Sequence, residues 1–179
     1  MEPAEAIVNV WLQMKGYFTM NNIRVGESGS GKGGKKPEID ILAVKLNPSC
    51  NKIEEKIHIE VTVAVNPFGR WTKKIAEKHI AKFENKCRVD EIKKYFGKGE
   101  YEKMLVISDQ CLTDEVESYL KDRGIECRKF SEIISELRKL MENKAFDDTT
   151  RRFLGLIFKH DKKEKIKKIN PDRLIKKEK

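Results

Sequence analysis

Three carboxylates stand where a strand would otherwise be apolar. Glu38 and Asp40 flank Ile39 at the head of the apolar run that ends at Leu46, and Glu60 interrupts Ile57-His58-Ile59-Glu60-Val61-Thr62-Val63. A charge in such a strand is costly to bury unless it is paired or bound to a metal. Asn47-Pro48-Ser49-Cys50-Asn51 reads as a turn between two strands, and Asp40 and Glu60 lie at nearly equal distances from it. In a hairpin they would sit opposite or diagonal to each other, with Cβ atoms roughly 5–7 Å apart. Carboxylates that close raise each other's pKa unless a cation lies between them. Hard oxygen donors at this spacing suit Mg²⁺, with Mn²⁺ as a substitute. Such an ion polarises a phosphodiester and acidifies an attacking water. The simpler reading is a cross-strand pair in which each carboxylate meets a lysine. His58 shares the Glu60 side of its strand by alternation, as a structural residue or as a base.

A second candidate is the loop Gly26-Glu27-Ser28-Gly29-Ser30-Gly31-Lys32, which has the glycine and lysine spacing of a phosphate-cradling loop. Gly33 follows Lys32, so the metal-binding hydroxyl is missing. The apolar run after Pro37 reads as a strand, whereas an anion-binding loop must lead into a helix. The stretch is expected to be a flexible Gly/Ser/Lys hairpin loop whose lysines reach nucleic-acid phosphates.

The elements that must position these residues follow from periodicity. Pro3 opens a helix carrying Ala6, Ile7, Val10, Trp11 and Met14 inward, closed by Lys15-Gly16. Strands are expected from Tyr17 to Val25, Glu38 to Leu46 and Ile53 to Val65. One helix is expected from about Trp71 to Phe96, with Ile75, His79, Ile80, Phe83 and Cys87 on its inner stripe. Then come a strand from Met104 to Ser108, a helix capped by Thr113 and ending at Gly124, a strand from Ile125 to Lys129 and a helix from Ser131 to Met141. The order is α-β-β-β-α-β-α-β-α. An antiparallel meander followed by βα crossovers predicts an α/β fold with a mixed β-sheet flanked by helices. Residues 1–143 form the expected domain and 144–179 a helical, basic C-terminal extension. The extension carries the apolar segment 153–158, and lysines dominate from Lys159. The basic tail reads equally as a solvated segment and as an arm lying along nucleic acid.

The chain of 179 residues carries a net charge of +9 with 37% charged residues. The basic balance favours a polyanionic partner. Cys50, Cys87, Cys111 and Cys127 show no C-x-x-C spacing, and with three histidines no zinc pattern forms. Reduced thiols, no signal-peptide pattern and no long apolar run predict a cytoplasmic protein without membrane spans.

Pro37-Glu38-Ile39-Asp40 followed by Glu60-x-Thr62 resembles the motif of the PD-(D/E)xK nuclease superfamily: an Asp on one strand, then Glu-x-Lys on the next. The opening segment, from Glu5 through Trp11 to Gly16-Tyr17-Phe18, resembles the first helix of archaeal Holliday junction resolvases. The segment from Val106 through Thr113 to Gly124-Ile125-Glu126 resembles the closing βαβ of Mrr-type endonucleases. Together these cover roughly residues 1–140. The individual motifs are short and degenerate, and their order carries the resemblance. It implies a restriction endonuclease-like sheet and an Mg²⁺-dependent endonuclease acting on duplex or branched DNA. Asp40, Glu60 and the Val61 carbonyl would hold the metal, and Glu5 would orient a metal-bound water. Lys32, Lys35, Lys36 and Arg70 would contact DNA, and a homodimer would cut two strands, with 153–158 as its apolar interface. Thr62 replaces the family's lysine and supplies no positive charge. Either Lys73 or Lys74, in the first turn of the next helix with Lys78 one turn on, replaces it, or the chain is a catalytically degenerate DNA-binding module that keeps the fold.

Overall fold

The computed structural model describes residues 2–26, 37–64, 69–142, 144–146 and 148–169. Two compact units are formed, Met1–Ser135 and Glu136–Lys179. The first is α/β. Helix α1 (Pro3–Met14) precedes β1 (Tyr17–Arg24), β2 (Glu38–Leu46) and β3 (Ile53–Thr62). Helices α2 (Lys73–Glu84) and α3 (Lys86–Phe96) lead to β4 (Glu102–Ile107), α4 (Asp114–Lys121), β5 (Ile125–Lys129) and α5 (Phe130–Met141), which crosses into the second unit. Helix α6 (Thr149–Ile169) lies wholly in that second unit.

The sheet has strand order β1-β2-β3-β4-β5. Its first three strands are antiparallel and the last two join in parallel, as the hairpin and crossover pattern predicts. The β2–β3 register pairs Ile41 with Ile59 and Leu42 with His58. Carried one residue further, it sets Asp40 opposite Glu60. On β1, Asn22 stands opposite Asp40, between the pairs Asn21–Ile41 and Ile23–Ile39. Asn22 has φ 52, a left-handed conformation that asparagine tolerates better than most residues.

The single helix expected from about Trp71 to Phe96 is two helices. Asn85 adopts an extended backbone (φ −60, ψ 119) and caps α3, its Oδ1 accepting from the Arg88 N–H at 3.2 Å. The side chain competes for backbone donors and so ends one helix while starting the next. This break turns Arg88, Ile92 and Phe96 inward together, one helical turn apart. Gly97, at φ 70, ends α3.

Two clusters lock the helices to the sheet. Ala76, Ile80 and Phe83 of α2 pack with Leu105, Ile125 and the α4 residues Val116 and Leu120. Ile92 and Phe96 of α3 pack with Val25, Ile39 and Leu42. Each large side chain so buried contributes roughly 1.5–3 kcal/mol. Thr113 caps α4 as its sequence position predicts, its Oγ1 accepting from the Val116 N–H at 3.3 Å. No helix among the described residues is long and apolar enough to cross a membrane. In the second unit Phe153, Leu156 and Ile157 are exposed.

Candidate functional site: a paired-carboxylate centre

The centre gathers at the ends of β2 and β3. Glu60 is fully buried, yet three side chains donate to its carboxylate. Arg88 from α3 reaches Oε1 at 2.7 Å, and His58 Nε2 meets the same oxygen at 3.0 Å. Lys82 from α2 reaches Oε2 at 2.8 Å. Burial by itself would raise the Glu60 pKa. The hydrogen bond from His58 and the charges of Lys82 and Arg88 outweigh it and bring the pKa down to about 2. Glu60 is therefore ionised at neutral pH.

Burial pushes His58 below the ordinary histidine range despite Glu60 beside it. A neutral imidazole facing an ionised carboxylate must donate, so Nε2 carries the proton. Its Nδ1 has no hydrogen-bond partner among the described residues, and the ring packs on Phe83 at 4.8 Å between centroids. His58 thus supports Glu60 from within the core. His79, one turn before Lys82 on α2, stacks on Trp71 at 4.2 Å and 14°. Burial, helped by the Lys82 charge, lowers its pKa to about 4.

Asp40 has different surroundings. It is half-buried, and its only hydrogen bond among the described residues comes from the Val61 N–H to Oδ2 at 2.8 Å. Burial, then the Glu60 charge, and last the Glu5 charge raise its pKa to about 7, against the opposing pull of the Val61 N–H and Lys82. Glu5 is buried in the first turn of α1. Its Oε2 accepts from the Glu2 N–H and from Asn22 Nδ2, both at 3.0 Å, tying α1 to the strand beside Asp40.

The structure brings together Asp40, Glu60, Val61 and Glu5 among the residues singled out by sequence. It places the others elsewhere. Lys73 forms an ion pair with Glu115 of α4 at 3.1 Å. Lys74, Lys78 and Arg70 are exposed. Lys32, Lys35 and Lys36 lie outside the described residues. The cations at the centre are Lys82 and Arg88, which sequence reasoning passed over. Lys82 left a signal: it follows Ile75 by seven residues, so it lies within about 20° of that inward position on the helix. Arg88 left none, because along a continuous helix it would point about 140° away from Phe83 at 100° per residue. Asn22 likewise reads as an ordinary strand residue.

Among the described residues, no group of three or more His, Cys, Asp or Glu side chains is arranged to hold a metal ion. The two facing carboxylates still have donor capacity. A carboxylate offers about four lone-pair sites; Glu60 uses three, and the Asp40 Oδ1 accepts no hydrogen bond among the described residues. Mg²⁺ keeps several waters and needs only one or two carboxylates. A hard cation against Asp40, sharing the remaining lone pair of Glu60, fits this donor set and would relieve the repulsion that raises the Asp40 pKa. No family model, curated protein or solved structure matches the chain.

Proposed function

We propose that the protein is an Mg²⁺-dependent endonuclease hydrolysing phosphodiester bonds of duplex or branched DNA, built on the PD-(D/E)xK plan that its motif resembles. One observation carries the reading. Asp40 and Glu60 face each other across neighbouring strands, and the Lys82 Nζ lies 2.8 Å from Glu60, beside the motif in which Thr62 supplies no charge. Asp40, Glu60 and the Val61 carbonyl would hold Mg²⁺, or Mn²⁺ in its place. When bound, such an ion supplies polarisation of the phosphodiester and a more acidic water. The protein's own groups do the rest. Lys82 presents a cation toward the charge that develops on the phosphate. Arg88 and His58 hold Glu60 ionised and fixed in direction. Glu5 and Asn22 brace the Asp40 side. The net charge of +9 draws the polyanion in.

A second reading, a DNA-binding module with a silent site, is favoured by the charge balance at Glu60: Arg88 and Lys82 already neutralise it. Incubation with supercoiled plasmid, linear duplex and a four-way junction, in Mg²⁺, Mn²⁺ or EDTA, separates the two. The nuclease reading expects metal-dependent cutting that is lost in Asp40→Ala. Salt-sensitive binding without cutting would leave the silent module standing and end the nuclease reading.

A further inference from the structure

The unit Glu136–Lys179 holds a cavity of about 770 Å³ that the carboxylate centre does not explain. Its walls come from the end of α5, residues 144–146 and two turns of α6. Two aromatic rings, Phe146 and Phe158, are part of the lining. So are the cations Arg138, Lys139, Lys144, Arg151, Arg152 and Lys159, set against one acid, Glu142. Arg138 lies over the Phe158 ring at 5.2 Å, and Arg151 pairs with Asp148 at 3.3 Å. Lys139, Lys144, Arg152 and Lys159 have no ion-pair partner among the described residues.

The spread of these charges limits the ligand. An apolar anion with a single head group needs cations at one end. Here they come from three segments, and on α6 alone Arg151 and Lys159 stand about 12 Å apart at 1.5 Å per residue. At about 3.4 Å per phosphate along a stacked strand, that length spans roughly three phosphates. Repeated anions interleaved with flat rings match a groove of cations interleaved with aromatic side chains, the combination that holds single-stranded nucleic acid. A duplex keeps its bases stacked inside and offers nothing to the rings.

We propose that this cavity binds an unpaired stretch of nucleic acid, with bases against Phe146 and Phe158 and phosphates on Lys139, Lys144, Arg152 and Lys159. The site stands apart from the nuclease reading, because binding here uses no carboxylate pair.

Fluorescence anisotropy of the full chain in EDTA, with a fluorescein-labelled oligothymidylate and a duplex of equal length, tests it. The wild type should bind the single strand more tightly than the duplex. Phe146→Leu keeps an apolar side chain and removes the ring, so it should weaken single-strand binding on the order of tenfold to a hundredfold while shifting duplex binding by under about twofold. Arg152→Glu, at an exposed position, should weaken single-strand binding and flatten its salt dependence. Far-ultraviolet circular dichroism verifies that both variants fold. Phe146→Leu should weaken single-strand binding by the same factor when placed on Asp40→Ala, so a dead nuclease and an empty cavity are told apart. Phe146→Leu binding the oligothymidylate like the wild type would overturn the proposal. So would tighter binding of duplex than of single strand, or binding of oleate with no binding of oligothymidylate.

Discussion

Asp40 and Glu60 are the same kind of group, on neighbouring strands, facing each other, and the protein treats them oppositely. On the β3 side, Arg88, Lys82 and His58 surround Glu60 and hold its pKa at about 2. On the β2 side, Asp40 receives one backbone N–H and its pKa rises to about 7. The difference comes from the helices. α2 and α3 deliver their cations to β3, whereas α1 and β1 bring a further acid, Glu5, with Asn22 toward β2. Pairs of titratable groups whose surroundings drive their pKa values apart mark sites of chemistry. Here one carboxylate is a fixed anion and the other has no ion pair among the described residues.

Four substitutions test this contrast, one of them a control. Arg88→Ala should have the largest effect. It leaves a buried carboxylate without its shortest contact, at 2.7 Å, and breaking a buried ion pair from one side destabilises by about 3–5 kcal/mol. Equilibrium urea unfolding measures it; a loss below about 1 kcal/mol would show that Lys82 alone carries the Glu60 charge, and the β3 side would no longer be specially compensated.

Next, Lys82→Met should lower metal-dependent cleavage by about a hundredfold, the usual scale for removing one group that stabilises transition-state charge. Lys73→Met should change it by under about twofold, since the Lys73 pair with Glu115 is exposed and lies off the centre. Single-turnover cleavage rates decide, and equal effects of the two substitutions would remove Lys82 from the chemistry.

The smallest effect is a gain. Asp40→Asn should stabilise the fold at pH 8 by roughly 0.5–2 kcal/mol, the common range for a single stabilising substitution. The sign follows from linkage. The Asp40 pKa in the fold, about 7, lies above its ordinary 3.8, so the folded state holds the proton more tightly. Ionising Asp40 therefore lowers stability progressively between about pH 4 and pH 7, and the full deficit stands above pH 7. Thermal melts of the two proteins should converge below about pH 4 and separate above pH 7. Glu60 acts in the opposite sense: its ordinary pKa of 4.5 falls to about 2, so its contribution is complete above about pH 4.5 and is lost as the pH drops toward 2. A wild type and Asp40→Asn that melt alike at pH 8 would mean Asp40 is already compensated and the contrast is false.

Much of the positioning is legible in the sequence. An antiparallel hairpin pairs residues equidistant from its turn, so a turn at Asn47 to Asn51 puts Asp40 and Glu60 opposite or diagonal to each other. The change from meander to crossovers likewise required a mixed sheet. The cationic half of the centre was less open to reading. Lys82 lay on the inward stripe of α2, among apolar residues that gave a stronger packing signal. Arg88 depended on a break at Asn85, where the asparagine could equally have stayed in a long helix and faced solvent. Along the chain, the lysines that follow Thr62 first are Lys73 and Lys74, in the first turn of α2. The lysine that contacts Glu60 lies nine residues after Lys73 on the same helix, at Lys82.

Local periodicity and turn chemistry, both written into short stretches, determined by themselves that two carboxylates face each other on an α/β sheet. Which of the two is neutralised was decided only by tertiary structure. That choice depends on where α2 ends, where α3 begins and which side chains the packing of Phe83, Ile92 and Phe96 carries over β3. Charge–charge energies in a buried site depend on separations of a few ångströms between groups far apart in the chain, and no pattern along a single segment encodes such separations.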